Sequence, residues 1–321
     1  MNLTDEQKHI ILEIDMITKQ KTVETDFALW TTNIGVNSRN LGNDRKPLSQ
    51  FWLHDSRNKD VLVIIGPGAS MRQYADKLHA LRRECTICTV PTALQWTIRH
   101  GLYPDFVVMQ DSRQKRWLFK GVTAPVLAPT TGDPGILEDF DCYLFTLMHG
   151  NGLIDPVFGS YNEWSLLIDS DLDGGVYSMG CVHNMAVELV LMLKESGQLR
   201  WKRIVFLGCD FGGWNGLIRV PMDGGDDWQT NDDGDEWWIH WNGFWTDPRM
   251  IWYKWKLLRM WARTEAPIYS LSHGLLHEFP SVTFDHALTG KFRRYYKKKY
   301  IERKFQEYSA LMADTFPREE A

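Results

Sequence analysis

The sequence predicts an α/β protein with a parallel sheet and helices on both of its faces. Three observations lead there. Short continuous apolar runs recur between Val61 and Leu207, as strands covered on both faces require. Helix-compatible stretches alternate with those runs, which is how βαβ units wind into a parallel sheet. The first run, Val61-Leu62-Val63-Ile64-Ile65, leads straight into a glycine turn, Gly66-Pro67-Gly68-Ala69-Ser70, so the sheet is of the Rossmann-like kind.

The elements follow in order. Thr4 and Gln7 form a capping box that opens a helix to about Lys19, with Ile10, Ile11, Ile14 and Ile17 as its apolar stripe. Residues Thr22 to Lys59 are polar and interrupted by Gly35, Gly42 and Pro47. Residues 1–59 are therefore read as an accessory segment packed on the main domain. The core, 60–211, begins with the strand at Val61, followed by a helix from about Ser70 to Arg83 and a strand at Thr86–Val90. A helix at Thr92–His100 and a strand at Asp105–Met109 come next, then short strands at Pro125–Ala128 and Cys142–Thr146. An irregular stretch from Gly150 to Gly175 precedes a helix at Tyr177–Glu195 and a strand at Arg203–Leu207. Residues 212–249 read as an acidic, aromatic insertion, too long for a plain connection. Residues 250–321 complete the core with a helix at Met250–Arg263, a last strand at Pro267–Leu271 and a basic helix at Lys291–Leu311.

Composition narrows the function. The chain has 321 residues, a net charge of −5 and 24% charged residues, which argues against a whole-protein nucleic-acid role. The Lys297-Lys298-Lys299 run reads as a solvated helix face. Five cysteines, an odd count in strand-like settings, point to buried thiols in a reducing compartment. Cys85 and Cys88 have redox-motif spacing, but strand alternation sends them to opposite faces. No leader or membrane span is visible, so the sequence predicts a cytosolic protein. Fifteen tryptophans are many for this length. They suit core, a sugar-stacking surface or an oligomer interface.

Four features fall at strand ends and so on one predicted rim. Gly66, Gly68 and Ser70 form a turn whose backbone N–H groups can meet a phosphate; a plain strand-to-helix connection also favours these residues. Asp111, after the third strand, is a candidate for a ribose hydroxyl, a metal or a substrate amine, or is a helix N-cap. Asp210, in Gly208-Cys209-Asp210-Phe211, shares the rim. Gly174 and Gly175, ahead of Tyr177, form a second glycine turn and a second candidate anion site. In the insertion, Asn231, Asp233 and Asp235 alternate as cation ligands would, although a solvated acidic loop is the commoner reading. His240 is the candidate general base, with His149, His183, His273 and His277 as rivals.

These motifs carry a resemblance. Val61 to Met71, Thr92-Ala93-Leu94, the Gly101 to Asp105 run, Asp111, Gly174-Gly175-Val176 and Gly208 to Phe211 resemble the family of flagellar motility accessory factors and archaeal 6-hydroxymethylpterin diphosphokinases. Gly175-Val176-Tyr177, Gly208 to Phe211 and Ile268 to Leu271 are more distantly similar to bacterial sialyltransferases that use CMP-activated sugars. Pro67 stands where the sialyltransferases have Asn, and Ala69 where the accessory factors have Pro. The resemblance implies a nucleotide or nucleotide-sugar ligand and a transferase. One form is a glycosyltransferase with a CMP-nonulosonate-type donor and a sugar, protein or small-molecule acceptor. In it the glycine turns hold phosphate, Asp111 and Asp210 orient ribose or acceptor, and His240 deprotonates the acceptor. The alternative is a diphosphokinase using ATP and magnesium. A third possibility is a binding or structural protein that keeps the fold, as a monomer or homo-oligomer.

Overall fold

The computed structural model describes residues 26, 28–41, 46–148, 175–177, 181–213, 217–227, 229–230, 239–241, 244–264, 266–272, 274–276, 278–292 and 298–313. The helix expected over Thr4–Lys19 lies outside them. Helix α1 spans residues 28–41, where a polar broken segment was expected, and it runs through Gly35. Its buried face is not an apolar stripe. Trp30, Asn33 and Asn37 point inward; Asn33 Nδ2 donates to the Thr131 carbonyl at 2.9 Å and Asn37 Nδ2 to the Thr130 carbonyl at 2.8 Å. The Trp30 indole donates to Ser112 Oγ at 3.0 Å.

The segment after α1 is an integral layer of the core. Phe51 packs edge-on against Phe106 and Tyr143. Gln198 Nε2 donates to the carbonyls of Leu48, Ser49 and Phe51.

The strands are β1 (Val61–Ile65), β2 (Thr86–Thr89), β3 (Phe106–Val108), β4 (Val126–Pro129), β5 (Cys142–Met148), β6 (Gly175–Tyr177) and β7 (Arg203–Leu207). After β7 come β8 (Leu217–Arg219), β9 (Gln229–Thr230), β10 (Ile239–Trp241), β11 (Phe244–Thr246) and β12 (Ile268–Ser270). Eight of them form one sheet in the order β12-β7-β1-β2-β3-β4-β5-β6, with every pairing parallel. The α/β reading of the sequence thus holds. β8–β9 and β10–β11 are separate antiparallel ribbons.

Between β1 and β2 lies a succession of 3₁₀ turns, Ala69–Ala80, closing in α2 (Leu81–Glu84); an ordinary helix was expected there. The remaining helices are α3 (Pro91–Arg99), α4 (Pro134–Asp139), α5 (Val182–Glu195), α6 (Pro248–Thr264), α7 (Phe284–Thr289) and α8 (Lys298–Ala313). Leu62, Ile64, Phe106, Leu127, Ile204 and Phe206 face the layer built by α5, α6 and α8. The opposite face is divided in two. Val63, Ile65 and Val205 meet the 3₁₀ turns and α7, while Val107, Ala128 and Leu144 meet α4.

Cys85 and Cys88 do fall in opposite layers, and burial pushes the Cys85 thiol up to about 12. Asp105 fastens the start of β3 to β2: its carboxylate accepts the Ile87 N–H at 2.8 Å and pairs with Arg82. Among the described residues, Trp201, Trp255 and Trp261 of the C-terminal half serve the core. Trp201 and Trp261 are fully buried, and Trp255 packs beside Phe305. The Trp201 indole donates to the Val190 carbonyl and that of Trp261 to the Ala266 carbonyl.

Candidate active-site cleft

The chain lays down β1 to β6 towards one edge of the sheet, then returns to place β7 and β12 on the other side of β1. The strand order therefore reverses between β1 and β7, and ligands of open α/β sheets bind outside the strand ends at such a point. A cleft of about 250 Å³ opens there, lined by Pro67, Gly68, His183, Asp210, Arg219 and Arg249 among others. It is at the small end for ligand pockets, which run roughly 300–1,000 Å³. A slightly larger hollow, about 310 Å³, lies at the N-terminal start of β5 beside Lys46 and Asp141. Those two groups already pair at 2.6 Å, and the hollow is at the wrong end of the strands for this fold.

The glycine turn has a different job from the one expected of it. Its donors face inward. The Gly66 N–H donates to the Leu207 carbonyl at 2.8 Å and the Gly68 N–H to the Gly208 carbonyl at 2.6 Å. The Ser70 N–H and hydroxyl both donate to the Asp210 carboxylate, at 2.8 and 2.5 Å. Asp210 thus fills the anion position at the start of the turn with the protein's own carboxylate. A Cβ on Gly66 would overlap His183 Nε2, and one on Gly68 would lie 2.5 Å from the Asp210 carboxyl carbon. The glycines are required by loop-on-loop approach. Cradling a phosphate at Gly66, Gly68 and Ser70 would need donors that are already engaged.

The second predicted glycine turn does not open directly into a helix. Gly175 and Tyr177 belong to β6, paired with Thr146 and Met148, and the helix starts only at Val182. Glycines ahead of Val and Tyr locally resemble a helix entry, yet Val and Tyr are strand formers. Gly174 lies outside the described residues, as do His149, His273, His277, Asn231, Asp233 and Asp235. Asp111 is exposed past the end of β3 and accepts the Arg113 N–H at 2.8 Å. With β2 standing between, it is roughly 10 Å from β1 along the sheet. His240 is in β10, in register with Trp245 of β11. The next residue along that ribbon, Thr246, donates its hydroxyl to the Phe211 carbonyl at 2.7 Å.

Phe211 has φ 55°, a left-handed conformation that costs a bulky residue free energy and gathers at functional loops. Asp247, beside it, accepts the Arg249 N–H at 2.8 Å and its guanidinium. Both cleft carboxylates are therefore engaged. Among the described residues no three His, Cys, Asp or Glu side chains converge on a metal position.

Several further polar groups of the site carry no distinguishing local sequence signal. His183, at the start of α5, was only one rival among four. Its Nε2 is buried without a hydrogen-bond partner, and burial pushes the imidazole down to about 4. The hydroxyls of Thr130, Thr131 and Thr146, at the ends of β4 and β5, are likewise buried and unpartnered. The depressed His183 has a consequence for stability. Its folded value lies below the unfolded one of 6.5, so the native state is fully favoured above pH 6.5. As pH falls the unfolded chain takes up the proton first, and about 3 kcal/mol is lost by pH 4. Urea midpoints measured from pH 7 to 4 will show this slope, and His183→Gln will flatten it. An unchanged slope in the variant would contradict the burial of the ring.

Neither a family model nor a curated protein matches the chain. Among solved structures it is similar in fold to the MAf glycosyltransferase of Magnetospirillum magneticum AMB-1. The TM-score is 0.50 at 14% identity, over 91% of this chain and 44% of that protein. This chain therefore spans less than half the length of that neighbour. Among the described residues no helix is long and apolar enough to cross a membrane.

Proposed function

We propose that the chain is a nucleotide-dependent glycosyltransferase whose donor is a nucleotide-activated sugar of the CMP-nonulosonate class. The observation that carries this reading is the cleft at the β1/β7 reversal, lined by His183, Arg219 and Arg249, in which the His183 Nε2 has no hydrogen-bond partner. The unpartnered His183 Nε2 is the feature of that cleft that suits a donor's phosphate. The fold it shares with the MAf glycosyltransferase and the sequence resemblance of Val61 to Phe211 support the same view. The acceptor is a sugar, a protein or a small molecule. In this reading Asp111 meets the end of the donor remote from the cleft, and His240 remains the candidate base for the acceptor hydroxyl. Asp210 acts by holding the glycine turn in place rather than by touching the reacting atoms.

A diphosphokinase would need carboxylates free to hold magnesium between phosphates. Asp210 is bound to Ser70 and Asp247 to Arg249, which is why that reading stands second. Thermal shift with CMP, CDP, UDP, GDP and ATP, each with and without magnesium, tests the proposal. CMP will raise the midpoint without magnesium, by about 2.7 kcal/mol of stability at a hundredfold excess over Kd. A response to ATP that requires magnesium would favour the diphosphokinase. Silence across the panel would count against both enzymes and leave a non-catalytic protein.

A further inference from the structure

His183 is the group in the cleft that the fold leaves unexplained. A buried ring nitrogen without a partner is costly, and native structures keep such atoms rarely. Leucine or valine at this position would fill the space at lower cost. Instead the ring is positioned on several sides: Gly66 leaves room for Nε2 by having no Cβ, and the ring centroid lies 5.9 Å from that of strained Phe211. Arg219 and Arg249 line the same cleft.

We propose that this cleft is a phosphoryl-binding site in which His183 Nε2 is the hydrogen-bonding group, with Arg219 and the Arg249–Asp247 pair lining the same cleft. The proposal rests on the nucleotide-donor reading and deepens it, because it moves the phosphate from the glycine turn to the far wall of the cleft. The Nε2–H donates to a phosphoryl oxygen. The anion in turn stabilises the doubly protonated ring, so binding draws a proton onto His183. The other titratable and charged groups around the ring are Asp210 and Asp247, bound to Ser70 and Arg249, the two arginines, and the Cys181 thiol, pushed up to about 11 by burial. Burial keeps the imidazole neutral down to about pH 4. With a phosphoryl group beside it the ring titrates nearer neutrality.

The test is a titration of the full chain with CMP, followed by the imidazole carbon-bound proton resonance that disappears in His183→Gln. That resonance will shift on CMP addition, and its midpoint will move up from about 4. His183→Leu will weaken CMP by roughly tenfold or more, the scale of one lost hydrogen bond to a charged group. His183→Gln will retain part of the affinity but lose the extra tightening of wild type at lower pH. Thermal midpoints of both variants at pH 8 establish that they fold. If CMP stabilises the wild type while the His183 resonance stays put and His183→Leu binds equally well, this inference falls and the donor reading survives. If neither CMP nor inorganic pyrophosphate binds, both fall.

Discussion

Asp210→Ala will lose about 3 kcal/mol of folding stability, because it strips two buried donors of their acceptor at once. The carboxylate is 2% exposed and receives both the N–H and the hydroxyl of Ser70. Alanine leaves both donors facing protein with nothing to bind. Asp210→Asn keeps one oxygen and will cost less, about 1–2 kcal/mol. The same carboxyl stands where a Gly68 side chain would go, so Gly68→Ala and Asp210→Ala will not add: the double variant will be more stable than the sum of the singles implies. Urea denaturation of the four proteins measures this. A loss under 0.5 kcal/mol for Asp210→Ala, the scale of an ordinary surface change, would mean the junction is not held this way.

Lys254→Ala will be at least as damaging, about 3–5 kcal/mol, since it removes the ammonium paired with a buried carboxylate. Lys254 is fully buried in α6 and pairs with Glu278 at 2.8 Å; burial pushes the ammonium down to about 8. The Tyr300 hydroxyl of α8 donates to the Glu278 carbonyl at 2.9 Å, so the pair joins α6 to α8 through the segment after β12. Replacing both partners, Lys254→Met with Glu278→Leu, will restore much of the loss, because buried pairs are roughly interchangeable with apolar ones. Thermal unfolding of the single and double variants decides it. A double variant as weak as Lys254→Ala would show that the pair positions α8 rather than merely balancing charge.

Most strands of the main sheet were legible in the sequence because they are largely apolar runs, and apolar runs survive any rearrangement of what surrounds them. Val61–Ile65 and Arg203–Leu207 are clear instances. Helix α1 was not legible, because its inward face consists of Asn33, Asn37 and one tryptophan. Asparagines look like loop residues until the carbonyls of Thr130 and Thr131 are brought opposite them. Strand β6 is only three residues long and follows glycine, so its local signal resembles a turn.

The rim was legible in outline, and its chemistry was not. Gly66, Gly68 and Asp210 do converge, as strand-end positions should. What one sequence conceals is that the two motifs are each other's ligand: the acid of one loop occupies the donors of the other. His183 was hidden for a related reason. Nothing local separates it from other histidines; its distinction is a neighbour far away in the chain, Gly66, that makes room for it.

The position of β12 also has a temporal consequence. Strand β7 lies between β1, far upstream, and β12, which is not synthesised until some sixty residues after β7 ends; Ile268 pairs with Ile204. Until that stretch has left the ribosome, β7 presents an open parallel edge with apolar side chains on both faces, the kind of surface that recruits other chains. Completion of the sheet therefore waits on residues Ile268–Ser270. A nascent chain stalled before residue 268 would carry the whole β1/β7 junction and still lack its outer neighbour.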